Sequence, residues 1–314
     1  MSAAVWPVAV LAAALAIDLA AGDPPNRWHP VAWAGTLLAA ARRRLAHGSP
    51  LRLLLAGGAV TVGVAVLAAA AGLVITRAAA ALGPAGAILE AAALSCCLSV
   101  RGLWRAAGEI ATHLERDDPG GARAALSFHL VSRPTHELEA GEIAAAAAES
   151  VAENLTDSIV APALAYLAFG LPGAALYRAV NTADAMIGYR EGALEHFGKL
   201  AARADDVLNL IPARLAALAI VTAAAITRAS PSRAWTIMWR DHARTASPNA
   251  GWTMAAMAGA LRVRLVKRGA YVLGDGPLPD ARDVRRSLAV MATAATIALV
   301  AASLAVLLAG SATR

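Results

Sequence analysis

Three long apolar runs constrain the fold of this chain more than any other feature of its sequence. They cover residues 53–76, 207–227 and 287–310. Two of the runs contain almost no charge, and the run 207–227 carries Arg214 near its start. Each run is long enough to cross ~30 Å of hydrocarbon as a helix that rises about 1.5 Å per residue. The runs therefore predict an all-α, polytopic helical membrane protein.

The composition agrees with that fold class. The chain has 314 residues, of which 58% are hydrophobic and 16% charged, whereas soluble domains are about half apolar and about a quarter charged. Segments 5–21 and 84–103 are predicted as further spans. No Lys or Arg precedes the first of these and Asp18 interrupts it, so we interpret it as a retained helix rather than a signal peptide. The adjacent Cys96 and Cys97 have no second pair for a metal site and are expected to be packing residues.

The apolar segment 158–180 is interrupted by Gly170-Leu171-Pro172-Gly173. Proline removes a backbone donor and glycine permits a reversal, so the segment predicts a broken or re-entrant pair of half-helices. A re-entrant pair would return the chain to the side of the membrane on which it entered. A kinked full crossing would separate the polar residues before the segment from those after it, and the sequence leaves both arrangements open.

The remaining sequence is expected to form a single integral membrane domain, 1–314, with polar cytoplasmic segments at 105–157 and 228–286. The second polar segment is predicted to form helices that lie on the membrane face. The net charge is +6, with basic clusters at 42–44 and between 262 and 286. Basic residues accumulate in the cytoplasmic loops of membrane proteins, which accounts for these clusters. No nucleic-acid motif or aromatic interleaving is present, so no nucleic-acid partner is expected.

An acidic helix face is the strongest candidate for chemistry. Glu149, Glu153 and Asp157 recur every four residues, so a helix stacks them along one side. Like charges at that spacing repel, which favours a cation opposite them. A divalent metal, an arginine cluster and a charged substrate are all candidates for that cation.

Two more polar clusters follow in the sequence. Asn181 and Asp184 are spaced for one helix face, and Asp205, Asp206 and Asn209 open the next apolar run. Carboxylates near a helix N-terminus are favoured by the helix dipole, which could explain one such cluster but not all three. Oxygen ligands of this kind suit Mg²⁺, which commonly binds one or two carboxylates together with substrate phosphates.

Three shorter motifs supply further candidates. Asp23, Asn26 and His29 lie in a stiff proline-rich loop after the first helix. Arg133 has the planar fork of donors that binds phosphate or carboxylate, and Thr135 is a candidate helix N-cap.

The last candidate is Asn249, in a turn where it could contact an amide or a ribose. No P-loop motif occurs anywhere in the sequence, so a nucleotide would be bound without one.

Taken in order, these motifs resemble one known family. They are Gly22-Asp23-Pro-Pro with His29-Pro30, Val131-Ser-Arg133-x-Thr135, Glu149-Ser-x-Ala-Glu153-Asn154-Leu-x-Asp157, Ala179-Val-Asn181-Thr-x-Asp184-x-Met186-x-Gly188-Tyr189, Ala202-Arg-Ala-Asp205-Asp206-Val-Leu-Asn209-x-Ile-Pro-Ala-Arg214 and Ser247-Pro-Asn249-Ala-Gly-Trp252. The pattern is similar to that of the adenosylcobinamide-phosphate synthases of cobalamin biosynthesis. It covers residues 18 to about 275, nearly the whole chain.

The resemblance implies an integral membrane ligase that uses ATP and Mg²⁺. Its substrates would be a corrinoid, adenosylcobyric acid, and aminopropanol or aminopropanol phosphate. We expect it in a bacterial inner membrane, with its active site facing the cytoplasm and with other corrinoid-pathway enzymes as possible partners.

Our hypotheses assign the candidate residues to three roles. The catalytic candidates are Glu149, Glu153, Asp184 and Asp205. The candidate metal ligands are Glu153, Asp157 and Asp184. The candidate substrate-binding residues are Asp23, Asn26, His29, Arg133, Thr135, Asn154, Asn181, Tyr189, Asp206, Asn209, Arg214 and Asn249.

The chain departs from the family pattern at a few positions. Pro134 replaces an acidic residue, Thr253-Met254 replace Pro-Glu, and Arg190-Glu191 replace Lys-Asn. These differences bear on substrate contacts more than on the class of reaction. Two alternatives stay open: a prenyltransferase-like membrane enzyme with a Mg²⁺-diphosphate site, and an ion-coupled transporter that uses carboxylates beside broken helices.

Overall fold

The computed structural model describes residues 4–312, and most of that chain is helical. The helices, in chain order, are α1 (Val5–Ala21), α2 (Pro30–Leu45), α3 (Pro50–Ala81), α4 (Gly86–Ser95), α5 (Val100–Glu115), α6 (Pro119–His129), α7 (Ala140–Leu155), α8 (Ala161–Ile187), α9 (Leu194–Phe197), α10 (Lys199–Leu208), α11 (Leu210–Ile226), α12 (Pro231–Asp241), α13 (Ala250–Leu261) and α14 (Ala281–Ala312). A π-helical turn, Thr156–Val160, joins α7 to α8, and strands β1 (Leu265–Lys267) and β2 (Tyr271–Leu273) form an antiparallel hairpin. The predicted all-α fold is confirmed.

Four helical stretches of the described chain are long and apolar enough to cross a membrane. They are Pro50–Ala81, Gly83–Glu115, Ala140–Ile187 and Ala281–Ala312. A fifth is obtained if the bent pair α10 and α11 counts as one broken span. The predicted segment 5–21 is helical over those residues but, at 17 residues, it belongs to the shorter apolar helices. The prediction of a polytopic membrane protein is confirmed.

The described chain divides into two compact units. Unit 1 contains residues 4–99, 161–209 and 302–312, and unit 2 contains residues 100–160 and 210–301. Both units contribute to candidate spans, so this division does not test the prediction of a single membrane domain.

In unit 1, α3 packs against α8 and α9 through small residues. A side chain at Gly57 would overlap the backbone carbonyl of Phe197, and a side chain at Gly72 would meet the backbone of Pro172. Small residues allow helix backbones to approach closely in membranes, where lipid tails are as apolar as the side chains. The buried residues around this contact are Leu38, Leu53, Val64, Ala179, Ala183, Ile187, Leu194, Phe197 and Ala201.

The break predicted at Gly170 is present. Gly170 has φ 68° and ψ −166°, a conformation that only glycine adopts readily, and Pro172 follows it inside α8. No loop separates the two halves, because α8 continues helically to Ile187. The broken helix is therefore confirmed.

An apolar cavity of about 330 Å³ lies in unit 1 between α2, α3, the end of α4 and the second half of α8. Cys96 and Cys97 line it as free thiols, and Cys97 is buried. Their expected role as packing residues agrees with this position.

In unit 2, α13 is the central helix. Every residue from Gly251 to Leu261 is buried, including four alanines and two glycines. Segment 228–286 forms helices as predicted, and one of them, α13, is buried on all sides because it has no polar side to expose. The neighbouring α12 has the expected two-sided pattern, with Trp235 and Trp239 exposed and Ile237 and Met238 buried.

The helix α7 begins at a capping box. The side chain of Glu142 accepts the backbone N–H of Glu139 at 2.9 Å, and the Glu139 side chain caps the first turn in return. The predicted N-cap at Thr135 is therefore wrong. Thr135 is buried and its hydroxyl donates to the carbonyl of Arg123 at 3.2 Å.

Candidate functional site

In unit 2, the acidic face of α7 lies under the β-hairpin. The Tyr271 hydroxyl donates to Glu149 Oε1 at 2.5 Å, and it also lies 3.9 Å from Met254 Sδ on α13. Glu149 is only 7% exposed. Glu153 lies one turn further along α7, as its four-residue spacing predicts. We call Glu149, Glu153, Tyr271, Arg133 and Lys267 the glutamate–tyrosine cluster.

Charges surround the tyrosine of this cluster. Burial, and then the negative charges of Glu149 and Glu153, raise the pKa of Tyr271, while Arg133 opposes them. The Lys267 ammonium lies 5.7 Å from the centre of the Tyr271 ring. The tyrosine therefore remains protonated and acts as a donor to Glu149.

A second contact holds the hairpin on α7. Arg268, in the turn between β1 and β2, binds Glu142 through two bonds of 2.5 Å, from Nε to Oε1 and from Nη2 to Oε2. Within the hairpin, Lys267 pairs with Tyr271. Two-bond arginine–carboxylate pairs fix orientation as well as distance. The turn is thus anchored at the start of α7 and the tyrosine is anchored two turns later.

The third carboxylate of the predicted face, Asp157, lies in the π-helical turn Thr156–Val160. A π turn contains more residues than an α turn, so the regular four-residue stacking predicted for Asp157 does not apply there. Asn154, just before the turn, donates to the Ser150 carbonyl at 2.9 Å and accepts from the Ser158 hydroxyl at 3.1 Å. The amide of Asn154 therefore stabilises this irregular helix.

In unit 1, α8 and α10 bring a second set of predicted residues together. Asp205 accepts hydrogen bonds on both oxygens, from Asn181 Nδ2 at 3.2 Å and from Asn209 Nδ2 at 3.0 Å. Asn209 accepts in turn from the Tyr177 hydroxyl at 2.9 Å. Tyr177 and Asn181 are four residues apart on α8, which places both on the face toward α10. Asp205 is thereby held in one orientation.

Two more carboxylates complete this group. Asp184 lies within electrostatic range of Asp205 and of Asp206. Asp206 also lies 3.7 Å from the guanidinium of Arg203. We call Asp184, Asp205, Asp206, Asn181 and Asn209 the aspartate cluster. All five of these residues are predicted site residues.

A third polar group lies at the proline-rich loop of unit 1. Asp23 accepts from His29 Nε2 and from the Ser99 hydroxyl, each at 3.3 Å. Burial alone would raise the pKa of Asp23, but these bonds and the charge of Arg178 hold it below its ordinary value. Asp23 is therefore ionised near neutral pH. Asn26 is exposed and begins the short turn Asn26–Trp28.

Arg214 and Asn249 meet in unit 2. The Arg214 guanidinium lies 4.9 Å from the centre of the Trp252 ring and donates to Asn249 Oδ1 at 3.2 Å. His242 packs on the same tryptophan with ring centres 4.1 Å apart. The predicted residues Arg214 and Asn249 thus bind each other beside two aromatic rings, which are tilted by 34° to each other.

The predicted residues do not form a metal site from protein groups alone. No group of three His, Cys, Asp or Glu side chains within residues 4–312 is arranged to hold a metal ion. The predicted ligands are divided between units, with Glu153 and Asp157 in unit 2 and Asp184 in unit 1. The proposed set of three ligands therefore stays a prediction, as does the placing of Glu149 and Asp184 on one side of the membrane.

Several residues of these groups were not identified from the sequence. Tyr271 lies 122 residues from Glu149 along the chain, so no local spacing links them. Ser99 and Tyr177 are separated from their partners in the same way. Tyr189, which was predicted, lies just beyond the end of α8 and donates its hydroxyl to the Ala185 carbonyl of that helix at 3.0 Å.

The fold and these groups define a polytopic helical membrane protein with carboxylates oriented inside its helical units. The family described as CobD/Cbib protein matches residues 11–300. The chain belongs to this family, and its role is in cobalamin biosynthesis.

Curated relatives resemble the chain over most of its length. The cobalamin biosynthesis protein CobD of Dehalococcoides mccartyi is 45% identical over 267 residues, which is 85% of this chain and 86% of that protein. The probable CobD of Methanothermobacter thermautotrophicus is 41% identical over 85% of this chain and 87% of its own. CobD of Klebsiella pneumoniae is 38% identical over 307 residues, 93% of each chain. No solved structure matches the chain.

Proposed function

We propose that this protein is an ATP- and Mg²⁺-dependent ligase that forms an amide between adenosylcobyric acid and aminopropanol or its O-phosphate. The product would be adenosylcobinamide or its phosphate. Family membership supports a step in cobalamin biosynthesis and hence a corrinoid substrate. The observation that carries the ligase proposal is the glutamate–tyrosine cluster, in which a buried and oriented carboxylate lies among cationic side chains.

The reaction needs positive charge beside the phosphates and negative charge beside the amine. A carboxylate is a poor acyl donor, so ATP would first phosphorylate it to an acyl phosphate with release of ADP. The amine would then attack the acyl carbon and displace phosphate. Cations such as Arg133 and Lys267 suit the phosphates, and a carboxylate such as Glu149 suits the ammonium form of the amine. Catalysis of phosphoryl transfer relies mainly on such positioning and on electrostatic stabilisation.

The oxygen-rich donor set fits Mg²⁺ rather than a transition metal. In unit 2, Glu153 and Asp157 would bind the ion, which would neutralise charge on the nucleotide phosphates, and Asp184 of unit 1 stays a predicted ligand. Since the described residues offer no group of three such side chains, nucleotide oxygens would have to complete the coordination. This is the ordinary situation for Mg²⁺ bound together with ATP.

The remaining predicted residues would bind the corrinoid and the nucleotide. Arg214 is a candidate for a substrate phosphate, and its guanidinium is held by Asn249 and by the Trp252 ring. Since ATP is supplied in the cytoplasm, the site would face that side of a bacterial inner membrane. Other enzymes of the corrinoid pathway are candidate partners because they would deliver adenosylcobyric acid.

The test is turnover by the purified protein in detergent. With adenosylcobyric acid, aminopropanol phosphate, ATP and Mg²⁺, we expect ADP and the cobinamide product in equal amounts, detected by mass spectrometry. Omission of any one component should abolish the product. Glu153→Ala and Asp184→Ala should abolish turnover while the protein still inserts into membranes. Full activity in both variants would contradict the metal-site assignment, and absence of ATP-dependent product in the wild type would contradict the ligase proposal.

A further inference from the structure

The two oxygens of the Glu149 carboxylate differ in their contacts. Oε1 accepts the Tyr271 hydroxyl at 2.5 Å. Oε2 is buried and accepts no hydrogen bond from any residue between 4 and 312. Buried carboxylate oxygens normally have a donor, because the desolvated charge is otherwise unfavourable. A donor that is not part of the described chain is therefore expected at Oε2.

The protein contains a second tyrosine–glutamate pair that provides a comparison. In unit 1, Glu90 is 4% exposed and accepts from the Tyr166 hydroxyl at 3.3 Å. Its other oxygen accepts from Trp6 Nε1 at 3.0 Å. Both oxygens of Glu90 are thus satisfied by protein donors, as expected of a structural pair. The Glu149 pair differs in leaving one oxygen for another donor.

The surroundings of Glu149 indicate the chemistry of that donor. Glu153 adds a second negative charge on the same helix, and Arg133 and Lys267 act on Glu149 through their charges. Neither cation donates a hydrogen bond to the Glu149 carboxylate among the described residues. A buried carboxylate acceptor with a second carboxylate on the same helix favours a small cationic donor, and a primary ammonium has three N–H groups to donate.

We propose that Glu149 Oε2 binds the ammonium group of the amine substrate and accepts its proton, and that Tyr271 positions the carboxylate through Oε1. This inference rests on the proposed ligase function and assigns the base of that reaction. Tyr271 is a positioning residue, since its hydroxyl contacts Glu149 rather than the amine.

The proton and electron movements balance. The ammonium R–NH₃⁺ gives one proton to Glu149 and becomes R–NH₂. The nitrogen lone pair forms the C–N bond with the acyl phosphate. The C–O bond to phosphate breaks, and its electron pair leaves with the phosphate. The nitrogen then releases a second proton to solvent, and Glu149 returns its proton to solvent, so that the carboxylate is restored.

The closing experiment separates the two half-reactions. Hydroxylamine is largely uncharged at neutral pH and attacks acyl phosphates without a base, giving a hydroxamate. We expect Glu149→Gln to lose amide formation from aminopropanol phosphate by about 100-fold or more, while hydroxamate formation with ATP and adenosylcobyric acid is unchanged. Tyr271→Phe should lower kcat/KM for the amine by about tenfold and leave hydroxamate formation intact. The control variants are Glu90→Gln and Tyr166→Phe, in the pair with two protein donors, and their amine and hydroxylamine rates should fall together or not at all.

Two outcomes would overturn the inference while the ligase function stands. Glu149→Gln could use the amine normally, or it could lose hydroxamate and amide formation equally. Failure of the wild type to form either product would instead overturn the ligase function. Calorimetry with aminopropanol alone tests the amine site independently of turnover. An affinity at least tenfold weaker in Glu149→Gln than in the wild type supports the site. Equal affinities, or no binding to the wild type, refute it. Unchanged melting temperatures in Glu149→Gln and Tyr271→Phe show that both variants are folded.

Discussion

Asp241 and Gly274 are joined by a buried hydrogen bond in which the Gly274 N–H donates to Asp241 Oδ2 at 2.8 Å. Asp241 ends α12 and is completely buried, and Gly274 directly follows β2. Arg240 adds two bonds, of 2.9 and 2.7 Å, and Arg244 lies 3.0 Å from Oδ1. The carboxylate is therefore fully bound, and it ties the end of the hairpin that carries Tyr271 to α12.

Asp241→Asn should destabilise the protein. The amide group would place N–H groups against arginine donors and remove the charge that the arginines balance. We expect a loss of about 2–4 kcal/mol in the free energy of unfolding, as measured by denaturation in detergent. Asp275→Asn is the matched control, because Asp275 binds the same Arg240 at 2.7 Å but is about half exposed. Its loss should be much smaller, because solvent screens an exposed ion pair. Equal losses in the two variants would contradict this account.

The same carboxylate predicts a dependence of stability on pH. Burial alone would raise the pKa of Asp241, but the bonds from Arg240 and Gly274 and the charge of Arg244 lower it below its ordinary value of 3.8. A group whose pKa is lower in the folded state stabilises the protein above its unfolded pKa, and that contribution is lost as the pH falls through the folded value. The difference in unfolding free energy between wild type and Asp241→Asn should thus shrink below about pH 4. A difference that stays constant to lower pH would refute the assignment.

Gly57 should be intolerant of any side chain. Its Cβ would overlap the carbonyl oxygen of Phe197, a backbone atom that cannot rotate away. We expect Gly57→Ala to lower the free energy of unfolding by about 1–3 kcal/mol. The adjacent Gly58 meets only the Leu200 side chain, at 3.4 Å, so Gly58→Ala should be neutral or slightly stabilising. Thermal unfolding of both variants in detergent compares them, and equal melting temperatures would show that α3 and α9 can separate without loss.

The anchor of the hairpin should be visible in hydrogen exchange. Arg268→Gln removes both bonds to Glu142, so we expect amide exchange in residues 265–273 to rise a few-fold, with little change in global stability because Arg268 is half exposed. Arg264→Gln is the control beside the same segment, because the Arg264 side chain forms no ion pair with any described residue. Faster exchange in both variants would mean that charge in general, rather than this pair, holds the hairpin down.

Local chemistry accounts for what the sequence predicted correctly. The break at Gly170 follows from glycine and proline, which act on the backbone at their own positions. The shared face of Glu149 and Glu153 follows from the period of the α-helix. The joining of Asn181, Asp205 and Asn209 required two helices to pack, but each helix presented its polar residues at a readable spacing.

Competition and distance account for what was not predicted. Thr135 was a reasonable cap, but Glu139 and Glu142 form a reciprocal pair that competes with it. Asp157 departs from the predicted face because it lies in a π turn. Nothing in the sequence indicates that turn. Tyr271 reaches Glu149 only through tertiary structure. The burial of α13 could have been predicted, since its sequence of alanine, glycine and methionine has no polar side.

The small residues of unit 2 have a thermodynamic consequence. Ordering alanine fixes no side-chain rotamers, so the alanines of α13 and the alanine run of α7 from Ala144 to Ala148 become ordered without loss of side-chain entropy. Alanine also has the highest intrinsic helix propensity. These alanines thus lose less conformational entropy on folding than long side chains would. The smaller entropy loss offsets part of the free-energy cost of burying two carboxylates, Glu149 and Asp241, in unit 2.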